Sequence, residues 1–362
     1  MSFNNVLKIS VLTIIMLVMH ACNKNKTIQD KGLKDHAEFP IGTAIKIGSL
    51  TSDLELQELQ KSNFNSITST SDMKMNRIIS EDGNYNWSRV DKIVDYAQTN
   101  NQRLFGHNLI WHSSTPKWVE EKASKDSLWL DGFMEDYITT YVTRYKGKVA
   151  AWDVVNEGLE SHGGNIRETM WYNALGKEYI AKAFKFAHAA DPNAVLFYND
   201  FNIERDTLKL NATLKLVKDL KEKGVPIHGI GFQMHIRMDI PDETIAYALK
   251  KAADTGLQIH LSEVDIIFNK HNDTRLGGVQ IYDEITDEMK TAQAEKYKNL
   301  VLMYRNIVPK AQQFGITFWE FNDRDTWING FFNLKDWPTI YNEKLEPKPA
   351  YFGFLEGLKE EL

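Results

Sequence analysis

Two glutamates follow short apolar runs, and together they could carry out acid–base and nucleophilic chemistry. Glu157 ends the segment WDVVNE, and Glu263 lies within LSEVD. A single glutamate in such a place is more often a salt-bridge partner or a helix cap. Two glutamates at strand ends of one sheet can instead face each other across a cleft. One then stays protonated to donate to a leaving oxygen while the other is ionised, which is the arrangement that glycoside hydrolysis requires.

Other polar side chains stand at the ends of neighbouring apolar runs and could support this pair. His235 could hydrogen-bond an ionised Glu263 and be oriented by Asp265, which would keep Glu263 charged. Further residues of this kind, all costly to bury, are His107, His112, Asn156, Asn199, Asp200 and Asp323. The ends of several strands are therefore predicted to meet at one site.

Short runs rich in β-branched residues alternate with longer amphipathic stretches. The eight predicted strands are Ile41–Ile45, Ser66–Thr68, Arg103–Ile110, Val149–Val155, Ala194–Tyr198, Gly229–Met234, Gln258–Val264 and Ile316–Phe321. The predicted helices include Trp87–Thr99, Met134–Tyr145, Trp171–Ala190, Thr207–Lys223, Asp242–Ala253 and Thr291–Phe314. This alternation predicts an α/β fold with parallel strands.

Periodicity alone does not distinguish a doubly wound sheet from a closed barrel. A doubly wound dinucleotide-binding sheet would need a glycine-rich turn after its first strand, and no G-x-G-x-x-G follows Ile41–Ile45. Polar groups contributed by the C-terminal ends of many strands are typical of a TIM barrel. The sequence therefore predicts a single (β/α)8 TIM barrel over residues 39–362.

A series of motifs spans this predicted domain in a fixed order. They are FGHNLIWHS, WDVVNE, YNDFN, GIGFQMH, LSEVDI, ITFW and PKPAY. In sequence and order they resemble the motifs of glycoside hydrolase family 10 xylanases. The resemblance implies endo-hydrolysis of β-1,4-xylosidic bonds in xylan, with overall retention of configuration and without a cofactor.

The resemblance also implies roles for individual residues. Glu157 would be the general acid and then the base, and Glu263 the nucleophile, supported by His235 and Asp265. Asn156 would bind the 2-hydroxyl of the sugar at the cleaved bond. The other residues implied to bind xylan or xylo-oligosaccharides are Lys74, His107, Trp111, Tyr198, Asn199, Gln233, His235, Trp319 and Trp327, with Tyr198 and Asn199 on the reducing side.

The chain departs from the family pattern near the second predicted strand. The family usually has Glu-Asn-x-Met-Lys-Trp there, whereas this chain has TSDMKM from Thr70 to Met75. Ser114 also stands where the family has Gln. Lost hydrogen bonds, each contributing about 0.5–1.5 kcal/mol, should weaken the second subsite on the non-reducing side. Either Asp72 or water replaces these contacts, or the subsite accepts a decorated or different sugar.

The N-terminus resembles an export signal. Lys8 precedes an apolar run from Ile9 to Met19, and Cys22, the single cysteine, follows Ala21. This resembles a bacterial lipobox, with Met19 in place of the usual leucine, and an ordinary cleaved signal is the alternative. The predicted divisions are a lipoprotein-type signal peptide over residues 1–21, a polar tether over 22–38 and the catalytic domain over 39–362.

Composition restricts the function classes further. A net charge of −6 and a pI of about 6.0 argue against nucleic-acid binding. The spacing of His107 and His112 does not predict a metal site, so no metal or cofactor is expected. Membrane attachment is expected only through a lipid on Cys22, and the oligomeric state is left open. The alternatives to a xylanase are a related β-1,4-glycanase or transglycosylase, and a catalytically weak glycan-binding protein.

Overall fold

Eight parallel strands form a closed barrel in the computed structural model, which describes residues 31–361. The strands are β1 (Ile41–Ile45), β2 (Ser66–Ser69), β3 (Arg103–Gly106), β4 (Ala151–Asn156), β5 (Val195–Asp200), β6 (Gly229–Phe232), β7 (Gln258–Ile267) and β8 (Gln313–Phe318). Strand β8 pairs with β1 on one side and with β7 on the other, which closes the sheet. The predicted (β/α)8 TIM barrel is confirmed.

Helices cover the outside of the barrel between the strands. They are Ile47–Ser52, Leu54–Asn63, Met75–Ile78, Ser88–Thr99, Lys117–Ala123, Ser127–Arg144, Met170–Leu175, Glu178–Ala190, Thr207–Glu222, Asp242–Ala253, Asp287–Ile307, Trp327–Phe332 and Pro349–Lys359. Asp53, Asp126 and Asp206 cap the N-termini of three of them by accepting hydrogen bonds from backbone N–H groups. The helices thus begin where short polar side chains satisfy their first donors.

Two predicted helices are interrupted in the structure, and the predicted helix Met134–Tyr145 instead begins earlier, at Ser127. The stretch Trp171–Ala190 is divided at Gly176, whose φ of +65° is a conformation that glycine adopts without steric cost. The stretch Thr291–Phe314 is helical only to Ile307, because Val308 is extended and Pro309 precedes a 3-10 turn that leads into β8. Apolar residues on both sides of this break made it resemble one long helix.

The barrel interior is a packed core at its N-terminal end. Phe105, Phe197 and Phe314 enter it from three strands, and their ring centroids lie 4.6 to 5.8 Å apart. The Arg103 guanidinium lies 4.0 Å from the Phe314 ring centroid and covers this layer from below. Because the lower barrel is filled by apolar side chains, polar groups collect at the C-terminal ends of the strands.

Packing begins earlier than the predicted domain boundary at residue 39. Leu33 is fully buried, and its backbone N–H donates to Asn63 Oδ1 at 3.3 Å. Part of the predicted tether therefore belongs to the folded domain, because this leucine covers apolar surface that would otherwise face water. The predicted signal peptide and Cys22 lie outside the described residues. Among residues 31–361, no helix has the length and apolar character to span a membrane.

Candidate active site

Glu157 lies directly beyond β4 in an unusual backbone conformation. Its φ is +56°, and its N–H donates to the Asn199 carbonyl at the end of β5 (2.9 Å). The pairing of β4 with β5 also shifts register between Asp153 and Val155. A left-handed conformation costs energy in a non-glycine residue and persists where the surrounding structure enforces it. Here it changes the direction of the chain just where the carboxyl group emerges.

A continuous series of amide side chains joins Glu157 to Glu263. Gln233 Nε2 lies 3.3 Å from Glu157 Oε1 and 3.2 Å from Asn156 Oδ1. Asn199 Nδ2 lies 2.9 Å from the same Asn156 oxygen and 2.8 Å from Glu263 Oε1. All three amides are at least 97% buried. Asn199, which was predicted to bind sugar on the reducing side, is fully buried, and its amide holds Glu263 instead. The structure therefore brings the two predicted catalytic carboxyl groups to one connected site at the upper end of the barrel.

The surroundings of Glu263 favour its ionised form. Burial opposes ionisation, but His107, His235 and Lys74 together hold the pKa of the Glu263 carboxyl below its usual value. His235 Nε2 lies 3.6 Å from Glu263 Oε2. The interactions with Asp265 and Glu263 outweigh the effect of burial and raise the pKa of His235 to about 10. The imidazolium and the carboxylate thus stabilise each other's charge.

Asp265 fixes the position of His235 from behind. Its Oδ2 atom lies 2.9 Å from His235 Nδ1 and accepts a hydrogen bond from Trp327 Nε1, also at 2.9 Å. His235 and Asp265 lie opposite each other on two paired strands, because the short strand His235–Arg237 runs parallel to the end of β7. The predicted relation between Glu263, His235 and Asp265 thus corresponds to the contacts in the structure.

A second histidine–aspartate pair lies on the other side of Glu263. His107 Nδ1 is 2.8 Å from Asp153 Oδ2 and 4.0 Å from Glu263 Oε1. Burial raises the pKa of Asp153 to about 6, although the contact with His107 opposes this rise. Asp153 was not predicted as a site residue. Its position inside the apolar WDVVNE run was the available signal, because a buried acid needs a specific partner.

Three tryptophans and a lysine lie near the carboxyl groups. Lys74 Nζ lies 4.5 Å from the Trp111 ring centroid and 5.7 Å from that of Trp319. Trp327 packs against His235, with 4.8 Å between ring centroids. Burial lowers the pKa of Lys74, although Glu263 and Glu157 oppose this effect. The predicted binding residues Lys74, Trp111 and Trp319 thus form one group, and Trp327 lies beside His235.

Tyr198 was predicted to bind sugar on the reducing side, a role that requires a side chain exposed to the cleft. Its side chain is fully buried, and its hydroxyl donates to Asp200 Oδ2 at 2.6 Å. Asp200 in turn contacts the buried ammonium of Lys209 at 2.7 Å. Tyr198 therefore lies behind the site, where it can position the end of β5 but cannot touch a sugar. Tyr198 ends an apolar run, so sequence alone made it resemble the exposed residues that follow other strands.

The residues that depart from the family pattern fall into two groups. Met75 and Ser114 are at least 99% buried, and Ser114 Oγ bonds to the Trp111 carbonyl. They support the loops and do not face the cleft. Thr70 and Ser71 directly follow β2 at the upper end of the barrel. Asp72 Oδ1 accepts from Arg89 Nη1 at 2.9 Å, so part of the Asp72 carboxylate is already engaged.

Comparison with known proteins agrees with this geometry. The family model described as Glycosyl hydrolase family 10 matches residues 31–357. Endo-1,4-beta-xylanase B of Thermotoga neapolitana is 36% identical, with 97% of this chain and 98% of that protein covered. Endo-1,4-beta-xylanase A of Cellvibrio japonicus is 35% identical, but this chain spans only 56% of its length.

Solved structures give the same result. A Cellvibrio japonicus xylanase in complex with xylopentaose is 32% identical, with a TM-score of 0.83 over 91% of this chain and 69% of that one. A xylanase from Paenibacillus barcinonensis bound to a conduramine derivative has the same TM-score over 91% and 99% of the two chains, at 32% identity. Fold, site and sequence agree over nearly the whole domain, and the chain therefore belongs to glycosyl hydrolase family 10.

Proposed function

We propose that this protein is an endo-1,4-β-xylanase that retains anomeric configuration, with Glu263 as nucleophile and Glu157 as acid and base. The observation that carries the proposal is the buried Glu263 carboxylate between two histidine–aspartate pairs, connected to Glu157 through Asn156, Asn199 and Gln233. A carboxyl group kept ionised next to one that can carry a proton meets the requirement for double displacement.

In the first step a Glu263 oxygen forms a bond to the anomeric carbon while the bond from that carbon to the leaving oxygen breaks. Glu157 gives its proton to the leaving oxygen. In the second step Glu157 removes a proton from water, the water oxygen bonds to the same carbon, and Glu263 leaves as the carboxylate. Two inversions at one carbon give net retention.

The other site residues act on the sugar or on the carboxyl groups. Asn156 Oδ1 already accepts from Asn199 and Gln233, so its amide nitrogen is the atom oriented to the 2-hydroxyl of the reacting sugar. Lys74 and His107 bind hydroxyls on the non-reducing side. Trp111, Trp319 and Trp327 stack on the apolar faces of the sugar rings. Asn199 and Gln233 orient the two glutamates.

The second subsite on the non-reducing side is proposed to suit decorated xylan. Thr70 and Ser71 replace longer hydrogen-bonding side chains, and Asp72 is already engaged by Arg89. The shorter side chains of Thr70 and Ser71 leave more space in this subsite and make fewer hydrogen bonds to an unbranched sugar. Both changes favour a sugar that carries a branch. A related β-1,4-glycanase or transglycosylase remains the second candidate, because the same subsite change would also alter backbone preference.

Product analysis of the unaltered protein and of Glu263→Ala tests this function. The substrates are glucuronoxylan, arabinoxylan and linear β-glucan, and NMR during the first minutes records the anomer formed. We expect β-anomeric xylo-oligosaccharides from both xylans and almost none after Glu263→Ala, with added azide restoring turnover as the α-glycosyl azide. Unchanged hydrolysis by Glu263→Ala, or α-anomeric first products, contradicts the mechanism. Products mainly from β-glucan favour the second candidate.

We further propose that residues 1–21 are an export signal, that Cys22 is lipidated and that the following segment connects the lipid to the barrel. The apolar run Ile9–Met19 and the Ala21-Cys22 pair support this division. The folded domain is then taken to begin near Leu33.

A further inference from the structure

Lys46 and Glu320 form an ion pair beside the cleft that the catalytic mechanism does not use. Lys46 directly follows β1, and Glu320 lies two residues beyond β8. Because β1 and β8 are neighbours in the barrel, the two residues meet at its upper end, where Lys46 Nζ lies 2.6 Å from Glu320 Oε1. The Glu320 side chain is 4% exposed, whereas that of Lys46 is 45% exposed.

The carboxylate of Glu320 has unused hydrogen-bonding capacity. Within residues 31–361, Glu320 Oε1 contacts the Lys46 ammonium, but Glu320 Oε2 is buried without a hydrogen-bond partner. Lys46 also donates to the Asp325 carbonyl at 2.9 Å. Burial raises the pKa of Glu320 to about 7, although Lys46 opposes this rise. A buried acid with vacant acceptor sites is costly to maintain.

The backbone at Glu320 adds a second cost. Its φ is +65°, a left-handed conformation that a side chain with a Cβ atom rarely adopts. Such strain, together with an incompletely satisfied buried charge, is found mainly at sites that bind or react. Glu320, Lys46 and Asp325 also line a small cavity with Ser49, Leu50 and Asn322.

This pair lies next to the residues that have lost their hydrogen-bonding groups. The Thr70 N–H donates to the Ile45 carbonyl at 3.1 Å, so Thr70 lies beside the end of β1, which Lys46 directly follows. On the other side, Glu320 follows Trp319, whose ring lies 5.1 Å from that of His107 between centroids. The pair therefore lies next to Thr70 and Ser71 and adjoins Trp319, beside the residues that the resemblance assigns to the non-reducing side.

We propose that Lys46 and Glu320 bind hydroxyl groups of the second sugar on the non-reducing side, an inference that rests on the proposed function. The ammonium donates and the carboxylate accepts, which matches two adjacent hydroxyls. Because the pair is neutral overall, it fits an uncharged pentose better than a uronic acid. A sugar held by groups that follow β1 and β8 leaves room over the neighbouring end of β2, where the short side chains of Thr70 and Ser71 do not fill the space that a branch needs.

Two aryl glycosides that differ by one sugar test this inference. An aryl β-xyloside fills only the subsite next to the cleaved bond, whereas an aryl β-xylobioside also fills the second. We expect Glu320→Gln and Lys46→Met each to lower kcat/KM for the xylobioside about tenfold or more, with kcat/KM for the xyloside unchanged. Lys215→Met, at an exposed ion pair on a distant helix, serves as the matched control.

The variant Glu320→Gly separates binding from folding. Glycine accepts the left-handed backbone without strain, so we expect an equal or higher Tm and the same selective loss on the xylobioside. An unchanged ratio of the two kcat/KM values overturns the inference while the proposed function stands. Equal losses on both substrates point to a structural role and also overturn it. If the unaltered protein hydrolyses neither glycoside nor xylan, the proposed function fails and the assignment of this pair fails with it.

Discussion

Glu157 and Glu263 both follow apolar strands, yet their surroundings differ in charge. Glu263 lies between His107 and His235 and also interacts with the ammonium of Lys74. The neighbours of Glu157 that contact its carboxyl group are the neutral amides of Asn156 and Gln233. Positive charge on three sides favours the ionised form of Glu263, as the proposed nucleophile requires, whereas hydrogen bonds from two amides position the Glu157 carboxyl group.

Lys74→Met should shift the acid limb of the pH profile. Lys74 helps to hold the pKa of Glu263 below its usual value, so its removal raises that pKa. Because Glu263 is proposed to react as the carboxylate, the free enzyme should then lose activity at a higher pH as the solution is acidified. We expect the acid limb of kcat/KM on xylotetraose to move upward between pH 3 and 7. An unmoved limb, with only a lower plateau, would mean that Lys74 binds substrate without tuning Glu263.

At the scale of secondary structure, the end of β5 depends on the first turn of the helix Thr207–Glu222. Asp200 and Lys209 are both fully buried, with 2.7 Å between their charged atoms. The Asp200 carboxylate also accepts from Tyr198 and from the Phe201 N–H. Removal of one partner from a buried ion pair typically costs about 3–5 kcal/mol, because the other charge stays buried. This pair therefore holds the strand that carries Asn199.

Lys209→Met should reduce the free energy of unfolding by about 3–5 kcal/mol near neutral pH. Burial already raises the pKa of Asp200, and loss of Lys209 raises it further above the unfolded value. A carboxyl group with a raised folded pKa destabilises the protein as pH rises from the unfolded to the folded pKa. Urea denaturation should thus show a larger deficit at pH 8 than at pH 5.

Two controls accompany this measurement. Lys215→Met, on the same helix, breaks an exposed pair and should change stability little at either pH. The double variant Asp200→Asn with Lys209→Met removes both charges and should recover much of the loss. A deficit for Lys209→Met that is independent of pH would show that lost packing against Phe201, and not the uncompensated charge, is responsible.

The sequence predicts strands and strand-end residues well because both depend on local patterns. The predicted bounds of β1 agree with the structure, and Glu157, Glu263, His235 and Asp265 meet as their strand ends indicated. Burial of Tyr198 could not be read in this way, since it depends on the helix Glu178–Ala190 and on Lys209 packing behind β5. The Lys46–Glu320 pair could not be predicted either, because it forms only when the barrel closes between β1 and β8, the first and last strands in sequence.

At the scale of the whole molecule, the barrel forms one packed unit from Leu33 onward. Leu33 is buried beside Asn63, and the helix Pro349–Lys359 near the other end of the domain packs against the helix Asp287–Ile307. The site lies at the C-terminal end of the barrel, whereas the apolar layer that includes Phe105 and Phe314 fills the N-terminal end. Attachment through the N-terminal segment can therefore leave the cleft accessible to a polymer.

Cys22→Ser tests that attachment. Cys22 precedes the first buried residue, Leu33, by eleven positions, a span of at most about 40 Å when extended. This length would keep the barrel clear of a membrane surface. On expression in a Gram-negative host we expect labelled palmitate in the unaltered protein and its recovery with membranes. Cys22→Ser should lose the label and become soluble, with unchanged kcat/KM on xylotetraose because no site residue is affected. Equal membrane recovery of both forms, or no label in either, would favour an ordinary cleaved signal.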